Sequence, residues 1–153
     1  MTILVDWELE ANEEPLVADD LICRAVAAAL RYGQRDELQV QVVLCSENAL
    51  TALHERFLDD STPTDVITFD LGDDDDEAPS AEIYVSVDMA KRVAAEYSQS
   101  VENELLLYVV HGTLHLCGYD DHDEEERREM RLAEASVFDA LGIPFDRARH
   151  ESL

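Results

Sequence analysis

The chain has 153 residues, and a hydrophobic content of 46% is too high for an intrinsically disordered protein. Its 36 Asp and Glu against 11 Lys and Arg give a formal net charge of −25, which repels nucleic-acid phosphates at long range and attracts cations. No apolar run is long enough for a membrane span and the N-terminus lacks the basic start of a signal peptide, so we expect a cytoplasmic protein with no membrane partner.

Chain length and cysteine usage indicate the domain organisation. One domain over residues 1–153 is predicted, because a chain of this size supports one core and leaves little room for a second. The cysteines Cys23, Cys45 and Cys117 are odd in number and lie among apolar neighbours, which predicts reduced and buried thiols.

Strand and helix patterns are mixed along the chain. Short runs rich in β-branched and apolar residues predict strands at 2–7, 38–45, 64–70 and 81–87. Runs with helical spacing of apolar residues predict helices at 15–33, 47–58, 89–98, 101–117 and 124–142. Pro15 is predicted to open the first helix and Gly33 to end it. Ser46, Asp88 and Ser100 are the predicted N-caps of the next three helices.

These elements predict an α+β (mixed α/β) fold in which a mixed sheet of about four strands, with at least one hairpin, packs against helices. The helix predicted at 101–117 contains the run LLLYVV, which is apolar on most sides. Such a helix is expected in the middle of a fold, with little solvent contact. The histidines that follow this run are therefore predicted to lie on a buried central helix.

Three of the five histidines lie within the stretch HGTLHLCGYDDH. His111 and His115 are four residues apart, so on a helix their imidazoles point the same way. Gly118 then lets the chain turn, so that His122 or Asp121 can supply a third ligand. Packed or solvent-facing rings are the ordinary alternative for a lone histidine, but three together favour a metal. Three protein ligands and one open position are typical of a catalytic zinc, which predicts one Zn²⁺ per chain.

The residue after the first histidine distinguishes this stretch from the common zinc-protease motif H-E-x-x-H. In that motif the glutamate is the general base. Here its place is taken by Gly112. The spacing therefore indicates a metal but argues against that protease chemistry.

The segment HGTLHLCGYD resembles the signature of the YbeY family of rRNA maturation endoribonucleases, in which three histidines bind zinc. The segments PTDVITFD (63–70) and AEIYVSVDMA (81–90) resemble two further family motifs, and together the matches span about residues 38–142 in the right order. The resemblance implies phosphodiester hydrolysis in single-stranded RNA, with roles in rRNA 3′-end maturation and ribosome quality control. It also implies rRNA or single-stranded RNA, and ribosomal subunits or ribosomal proteins, as partners.

The chain departs from the family pattern at two positions. The third family histidine follows G-Y-D directly, but here that place is Asp121 and His122 comes one residue later. We expect His122 to bind the metal, because a loop absorbs one residue more easily than a site changes its charge, and Asp121 is the alternative oxygen ligand. The family's functional arginine, five residues before the proline of P-T-D-V, is replaced by Leu58. Arg56 is the nearest guanidinium and is the predicted catalytic cation, with a solvent-facing charge as the alternative.

Two other carboxylates are candidates for supporting roles. Asp65 is predicted to hydrogen-bond a ligand histidine and fix its tautomer, with capping of a turn as the alternative. Asp120 is predicted to orient a ligand or to accept a proton from a water at the metal, and is assigned as catalytic.

The acidic composition conflicts with an RNA substrate, because nucleases gain much of their affinity from Lys and Arg at phosphates. A local patch of Arg24, Arg31, Arg35 and Arg92, or delivery by a ribosomal protein, would resolve this conflict. Two alternative functions stay open. One is a non-catalytic ribosome assembly factor with a structural zinc, although such zincs usually have four protein ligands. The other is a metal-dependent hydrolase of another substrate, such as a peptide.

Overall fold

A computed structural model describes residues 2–58, 64–72 and 80–145, which contain four strands and five helices. The strands are β1 (Ile3–Trp7), β2 (Gln39–Cys45), β3 (Val66–Asp70) and β4 (Ser80–Ser86). The helices are α1 (Asp19–Tyr32), α2 (Glu47–Leu58), α3 (Val87–Glu96), α4 (Val101–Leu116) and α5 (Glu124–Leu141). One mixed sheet packed with helices confirms the predicted α+β (mixed α/β) fold.

The four strands form one sheet in the order β1-β2-β4-β3. β1, β2 and β4 are parallel, which requires crossover connections between them. Helix α1 makes the first crossover, and α2 together with β3 makes the second. β3 runs antiparallel to β4, with Val66 opposite Val85 and Asp70 opposite Ala81, as expected for the predicted hairpin.

The two faces of the sheet pack against different helices, because successive strand residues point to opposite sides. One face meets α1 and α4 in the larger core, to which β2 and β4 contribute Val40, Val42, Leu44, Ala81, Ile83 and Val85. The other face meets α2 in a smaller cluster formed by Val43, Cys45, Leu50 and Ile67. Helices α4 and α2 therefore lie on opposite sides of the sheet.

Helix α4 occupies the centre of the larger core, with 12 of its 16 residues buried, which confirms the prediction of a buried central helix. Gly112 of α4 faces β3 and β4 at close range. A Cβ at this position would lie 2.9 Å from Cγ2 of Val66 and 3.1 Å from Cγ2 of Ile83. Only glycine lets the helix backbone come so near the strands.

Two helix starts differ from the predictions. α1 begins at Asp19, four residues after Pro15, and the Trp7 indole donates to the carboxylate of Asp19 at 2.7 Å. α3 follows β4 without a loop, so its N-cap is Ser86, which accepts from the Met89 amide at 3.0 Å. Asp88, the predicted cap, instead accepts from the backbone amide of Glu47 at the start of α2. The predicted cap Ser100 does accept from the Asn103 amide of α4.

The cysteines are free thiols, as predicted, but only Cys45 is buried. Cys23 and Cys117 are half-buried, which corrects the prediction of three buried thiols. Of the arginines proposed for a basic patch, Arg24 and Arg31 lie on α1, whereas Arg35 follows the end of that helix. In the part of the chain that the structure describes, no helix is long and apolar enough to cross a membrane. The acidic run at residues 73–77 and the C-terminal His150 lie outside the described residues.

Candidate metal centre

The spacing of His111 and His115 on α4 brings their rings together, as expected for residues one helical turn apart. The two Nε2 atoms are 3.0 Å apart, and the ring planes meet at 83°. Two nitrogen lone pairs at this distance repel each other unless a proton or a cation lies between them. The pair is therefore suited to share a positive charge.

The chain reverses direction after α4 and returns a carboxylate to these rings. Gly118 makes this turn with a positive φ of 98°, a conformation that glycine adopts without strain. Oδ2 of Asp121 then lies 3.5 Å from Nε2 of His111 and 3.9 Å from Nε2 of His115. We refer to His111, His115 and Asp121 as the His–His–Asp group.

The His–His–Asp group fits zinc in both spacing and donor chemistry. Two ligands of a tetrahedral zinc, each about 2.0–2.1 Å from the ion, are about 3.3 Å apart. The three donor atoms here are 3.0, 3.5 and 3.9 Å apart, so they span one face of such a tetrahedron. Imidazole nitrogen and carboxylate oxygen are both zinc ligands, and three of them leave the fourth position open.

Glu134 of α5 supports this group and was not identified from the sequence. Its side chain is fully buried, and Oε2 lies 2.7 Å from Nδ1 of His111. The other carboxylate oxygen accepts from the guanidinium of Arg131. With Nδ1–H donating to Glu134, the Nε2 lone pair of His111 faces the group. Helical spacing could have identified Glu134, because it places this carboxylate on the buried face of α5 with Met130, Ala133, Val137 and Phe138.

Electrostatics at the group favour positive charge on His111. Burial lowers the pKa of His111, but hydrogen bonds with Asp121 and Glu134 outweigh it and raise the pKa to about 9. The hydrogen bond from His111 lowers the pKa of Asp121 to about 2. Burial, followed by the charge of His111, lowers the pKa of His115. The carboxylates of Asp121 and Glu134 thus create a negative potential where the two rings meet.

His122 lies close to the group in sequence but in a different cluster, with Asp120 and Glu126. Its side chain is 78% exposed, and Nδ1 lies 3.5 Å from Oε2 of Glu126. The next residue, Asp123, is the N-cap of α5, which keeps the backbone of His122 at the helix start. Asp120 lies between the clusters, with Oδ1 at 3.7 Å from Nδ1 of His115.

Asp65 and Arg56 are the two remaining residues predicted for the site. The backbone carbonyl of Asp65 accepts from the Ser86 amide, and its charge contributes to the raised pKa of His111. Arg56 lies on α2, across the sheet from α4, with its guanidinium carbon 5.1 Å from the centre of the Phe57 ring. The structure thus brings His111, His115 and Asp121 together, with Asp120 beside them, and gives Arg56 an aromatic contact on the other side of the sheet.

Comparisons with known proteins agree on one family. The family described as endoribonuclease YbeY matches residues 8–142. A relative of that name from Carboxydothermus hydrogenoformans is 35% identical over 124 residues, covering 81% of this chain and 86% of its own length. Another from Bacillus subtilis is 35% identical over 126 residues, covering 76% and 80%. The solution structure of TM1509 from Thermotoga maritima matches with a TM-score of 0.60 at 26% identity, covering 92% of this chain and 89% of that one.

The family match covers the whole of the central helix and the turn that follows it, and therefore the entire His–His–Asp group. The segment whose histidine spacing predicts metal binding therefore lies inside the matched region. The chain belongs to the YbeY family of endoribonucleases.

Proposed function

We propose that this chain is a zinc-dependent, single-strand-specific endoribonuclease of the cytoplasm that acts in rRNA 3′-end maturation and ribosome quality control. The observation that carries the proposal is the convergence of two imidazole nitrogens and one carboxylate oxygen, 3.0 to 3.9 Å apart, on one helix and the turn after it. Membership of an endoribonuclease family supplies the substrate class, and the open ligand position supports catalysis over a structural metal.

We propose that Asp121, rather than His122, completes the ligand set. Its Oδ2 atom is within 3.9 Å of both Nε2 atoms, whereas His122 faces Glu126 and solvent. This choice revises the expectation from the sequence, which favoured His122. When bound by these side chains, zinc would supply a Lewis acid that activates a hydroxyl nucleophile and offsets negative charge on phosphoryl oxygens.

Side chains around the ligands then have distinct tasks. Glu134 holds His111 in the tautomer whose Nε2 can bind a metal. Asp120 has a half-exposed carboxylate whose Oδ1 atom faces Nδ1 of His115, so it is proposed to orient that ring. Alternatively, it accepts the proton of the attacking hydroxyl as the bond from phosphorus to the leaving ribose oxygen breaks, and the leaving oxygen takes a proton from solvent. The attacking hydroxyl belongs either to water or to the ribose 2′ position. The proton-accepting role requires Asp120 to reach substrate, for which its exposure is suitable.

A cation is also needed to hold the phosphate, and two arginines are candidates. Arg56 stays the candidate from the family motif. Arg127 is a second, because its guanidinium donates to the backbone carbonyl of Asp121 at 3.4 Å and its side chain is exposed. Separate Arg127→Ala and Arg56→Ala variants distinguish them, since loss of a phosphate contact raises KM for RNA while zinc content stays unchanged.

Three other cations, Arg35, Lys91 and Arg92, are paired with carboxylates. Arg35 contacts Asp70 at 3.0 Å. Lys91 contacts Glu13 at 3.0 Å, and Arg92 donates twice to Glu47, at 2.6 and 2.9 Å. We therefore expect weak cleavage of free RNA by the isolated protein and stronger cleavage on ribosomal subunits, where basic ribosomal proteins complement the acidic surface.

The proposal is tested with purified protein on matched single-stranded and duplex RNA, with zinc, with a chelator, and on ribosomal subunits. We expect cleavage of single strands that requires zinc and is lost in His115→Ala. Absence of cleavage under all of these conditions would overturn the proposal and favour a non-catalytic assembly factor. Cleavage that persists in the chelator, or in His115→Ala, would overturn the assignment of the metal site.

The third ligand is tested by comparing metal content in two neighbouring variants. Wild-type protein prepared without chelator should contain about one zinc per chain by elemental analysis. We expect Asp121→Ala to lose most of the metal, because it removes one of three donors, and His122→Ala to retain it. Retention in Asp121→Ala together with loss in His122→Ala would restore His122 as the ligand.

A further inference from the structure

We propose that a pocket next to the His–His–Asp group binds a nucleobase of the RNA strand whose phosphate is cleaved. This inference rests on the proposed function and identifies how the same site holds its substrate. The pocket lies between the end of α1 and the turn that follows α4, has a volume of about 440 Å³, and is suitable in size for a small ligand. We call it the tyrosine pocket, after Tyr32 and Tyr119 in its wall.

Asp120 connects the tyrosine pocket to the metal centre. Its side chain lines the pocket, and its Oδ1 atom lies 3.7 Å from Nδ1 of His115. The pocket therefore begins one side chain away from the rings of the His–His–Asp group. A nucleotide with its phosphate at the metal can extend its own base, or that of its neighbour, into the pocket.

The wall of the tyrosine pocket offers aromatic surface to a flat ring. The rings of Tyr32 and Tyr119 have centroids 6.0 Å apart with planes tilted by 38°, and Tyr32 is 41% exposed. Gly33 and Gly118 also line the pocket, and a Cβ at Gly118 would meet no atom within 4 Å. Rings of this kind bind bases of single strands by stacking, which every base permits.

The charge of the tyrosine pocket selects a base over a phosphate. Its ionisable lining includes the carboxylates of Asp120, Glu126 and Glu129, and among the described residues that line it there is no Lys or Arg. Carboxylates repel a phosphate but accept hydrogen bonds from N–H groups. Adenine, cytosine and guanine carry an exocyclic amino group with two N–H donors, whereas the Watson–Crick edge of uracil has only the single N3–H donor. We therefore expect these three bases to bind in preference to uracil.

Base binding explains how a chain with a net charge of −25 can act on RNA. Contacts with phosphates release counterions and weaken steeply as salt rises, whereas stacking and contacts with neutral bases do not. Affinity that comes from the tyrosine pocket should depend only weakly on salt. A steep negative salt slope for oligoadenylate binding would contradict this inference.

The first test compares Tyr119→Leu and Tyr32→Leu with Tyr119→Phe, which keeps the ring. For oligoadenylate cleavage we expect each leucine variant to raise KM about tenfold or more with kcat nearly unchanged, and Tyr119→Phe to stay near wild type. Wild type should cleave oligouridylate with a higher KM than oligoadenylate. A series of oligoadenylates, each lacking the base at one position, locates the nucleotide whose base is bound. At one position, loss of the base should raise the KM of wild type to the value that Tyr119→Leu shows with intact oligoadenylate.

The second test reads binding without cleavage, so that the two proposals can fail separately. A 2-aminopurine-containing oligonucleotide is mixed with chelator-treated protein and with His115→Ala, and quenching of its fluorescence is measured. We expect quenching in both, reduced in Tyr119→Leu. Quenching without any RNA cleavage would overturn the proposed function and leave the base site standing. Zinc-dependent cleavage with unchanged KM in both leucine variants, or no quenching, would overturn the base site alone.

Discussion

At the scale of single residues, the main feature of the site is a chain of contacts that starts at the His–His–Asp group and ends at Arg131 on α5. His111 contacts the fully buried Glu134, and Glu134 contacts Arg131. A buried carboxylate is costly unless it is paired and hydrogen-bonded on all sides. The two oxygens of Glu134 each have an N–H donor, Nδ1 of His111 at one and the guanidinium of Arg131 at the other, which meets this requirement. The carboxylate can therefore stay charged and orient the imidazole.

We expect Glu134→Gln to weaken zinc binding about 10- to 100-fold, because the neutral amide makes His111 a less basic ligand and can present either an oxygen or an N–H to it. Competition with a chromogenic chelator measures the affinity. Glu125→Gln removes the same charge from an exposed position of the same helix and should leave the affinity unchanged. Equal affinities in wild type and Glu134→Gln would show that the buried contact does not orient the ligand.

The thiol of Cys45 allows a prediction that depends on pH. Burial, with smaller contributions from Glu8 and Asp88, raises the pKa of Cys45 to about 12. At pH 8, one unit below its ordinary value of 9.0, the folded protein therefore holds almost no Cys45 thiolate. We expect slow alkylation by iodoacetamide that becomes fast after unfolding in urea, as followed by peptide mass spectrometry. Fast modification of native Cys45 at pH 8 would mean that the strand end is open to solvent.

At the scale of elements, the position of α4 relative to the sheet determines where the two histidines lie. Gly112 sits between them in sequence and contacts β3 and β4, whose side chains come to within 2.9 to 3.3 Å of where its Cβ would be. Gly112 occupies the position at which the zinc-protease motif has its glutamate base. In this chain the glycine lets α4 pack closely on the sheet. Its identity is thus explained by packing as well as by chemistry.

We expect Gly112→Ala to lower the free energy of unfolding by about 1–2 kcal/mol, because overpacking against Val66 and Ile83 exceeds the gain in helix propensity. Urea unfolding in the presence of a chelator measures this without a contribution from metal binding. Ser136→Ala, at an exposed position of α5, tests propensity alone and should be neutral or slightly stabilising. An increase in stability in Gly112→Ala would mean that the sheet yields to the added methyl group.

At the scale of the whole molecule, repulsion among carboxylates opposes folding. The net charge of −25 is spread over a single small domain, and several of the few cations pair with carboxylates on neighbouring elements, such as Arg92 of α3 with Glu47 of α2. Exposed ion pairs contribute little each. They cannot offset the excess of acidic groups, so the folded state should depend on screening by salt.

We expect Tm to rise by about 5 °C or more between 0.1 M and 1 M NaCl, because the Debye length falls from about 10 to 3 Å. Differential scanning calorimetry of chelator-treated protein measures the shift without metal binding. The chlorides of lithium, sodium and potassium should act alike at equal ionic strength if screening is the cause. A Tm that stays constant or falls with salt would show that charge repulsion does not limit stability.

The amino-acid sequence by itself predicted most of the elements of the fold and the first two candidate ligands, His111 and His115. Strand and helix positions follow from local spacing of apolar residues, and His111 and His115 meet because four residues make one helical turn. Local sequence patterns predicted helix starts less well where one element continues directly into the next. Asp88 has the chemistry of an N-cap, but β4 continues directly into α3, so Ser86 caps that helix and Asp88 binds α2.

Only the tertiary structure decided what surrounds those two histidines, because the remaining contacts join segments that are distant in the chain or held by another element. Asp121 faces the rings and His122 turns away because Asp123 caps α5 and fixes the chain at that point. Glu134 reaches His111 from 23 residues further along, through packing of α5 on α4. Tyr32 comes to Tyr119 from the end of α1 in the same way. Spacing along the sequence carries no information on which helix packs against which, and packing creates these contacts.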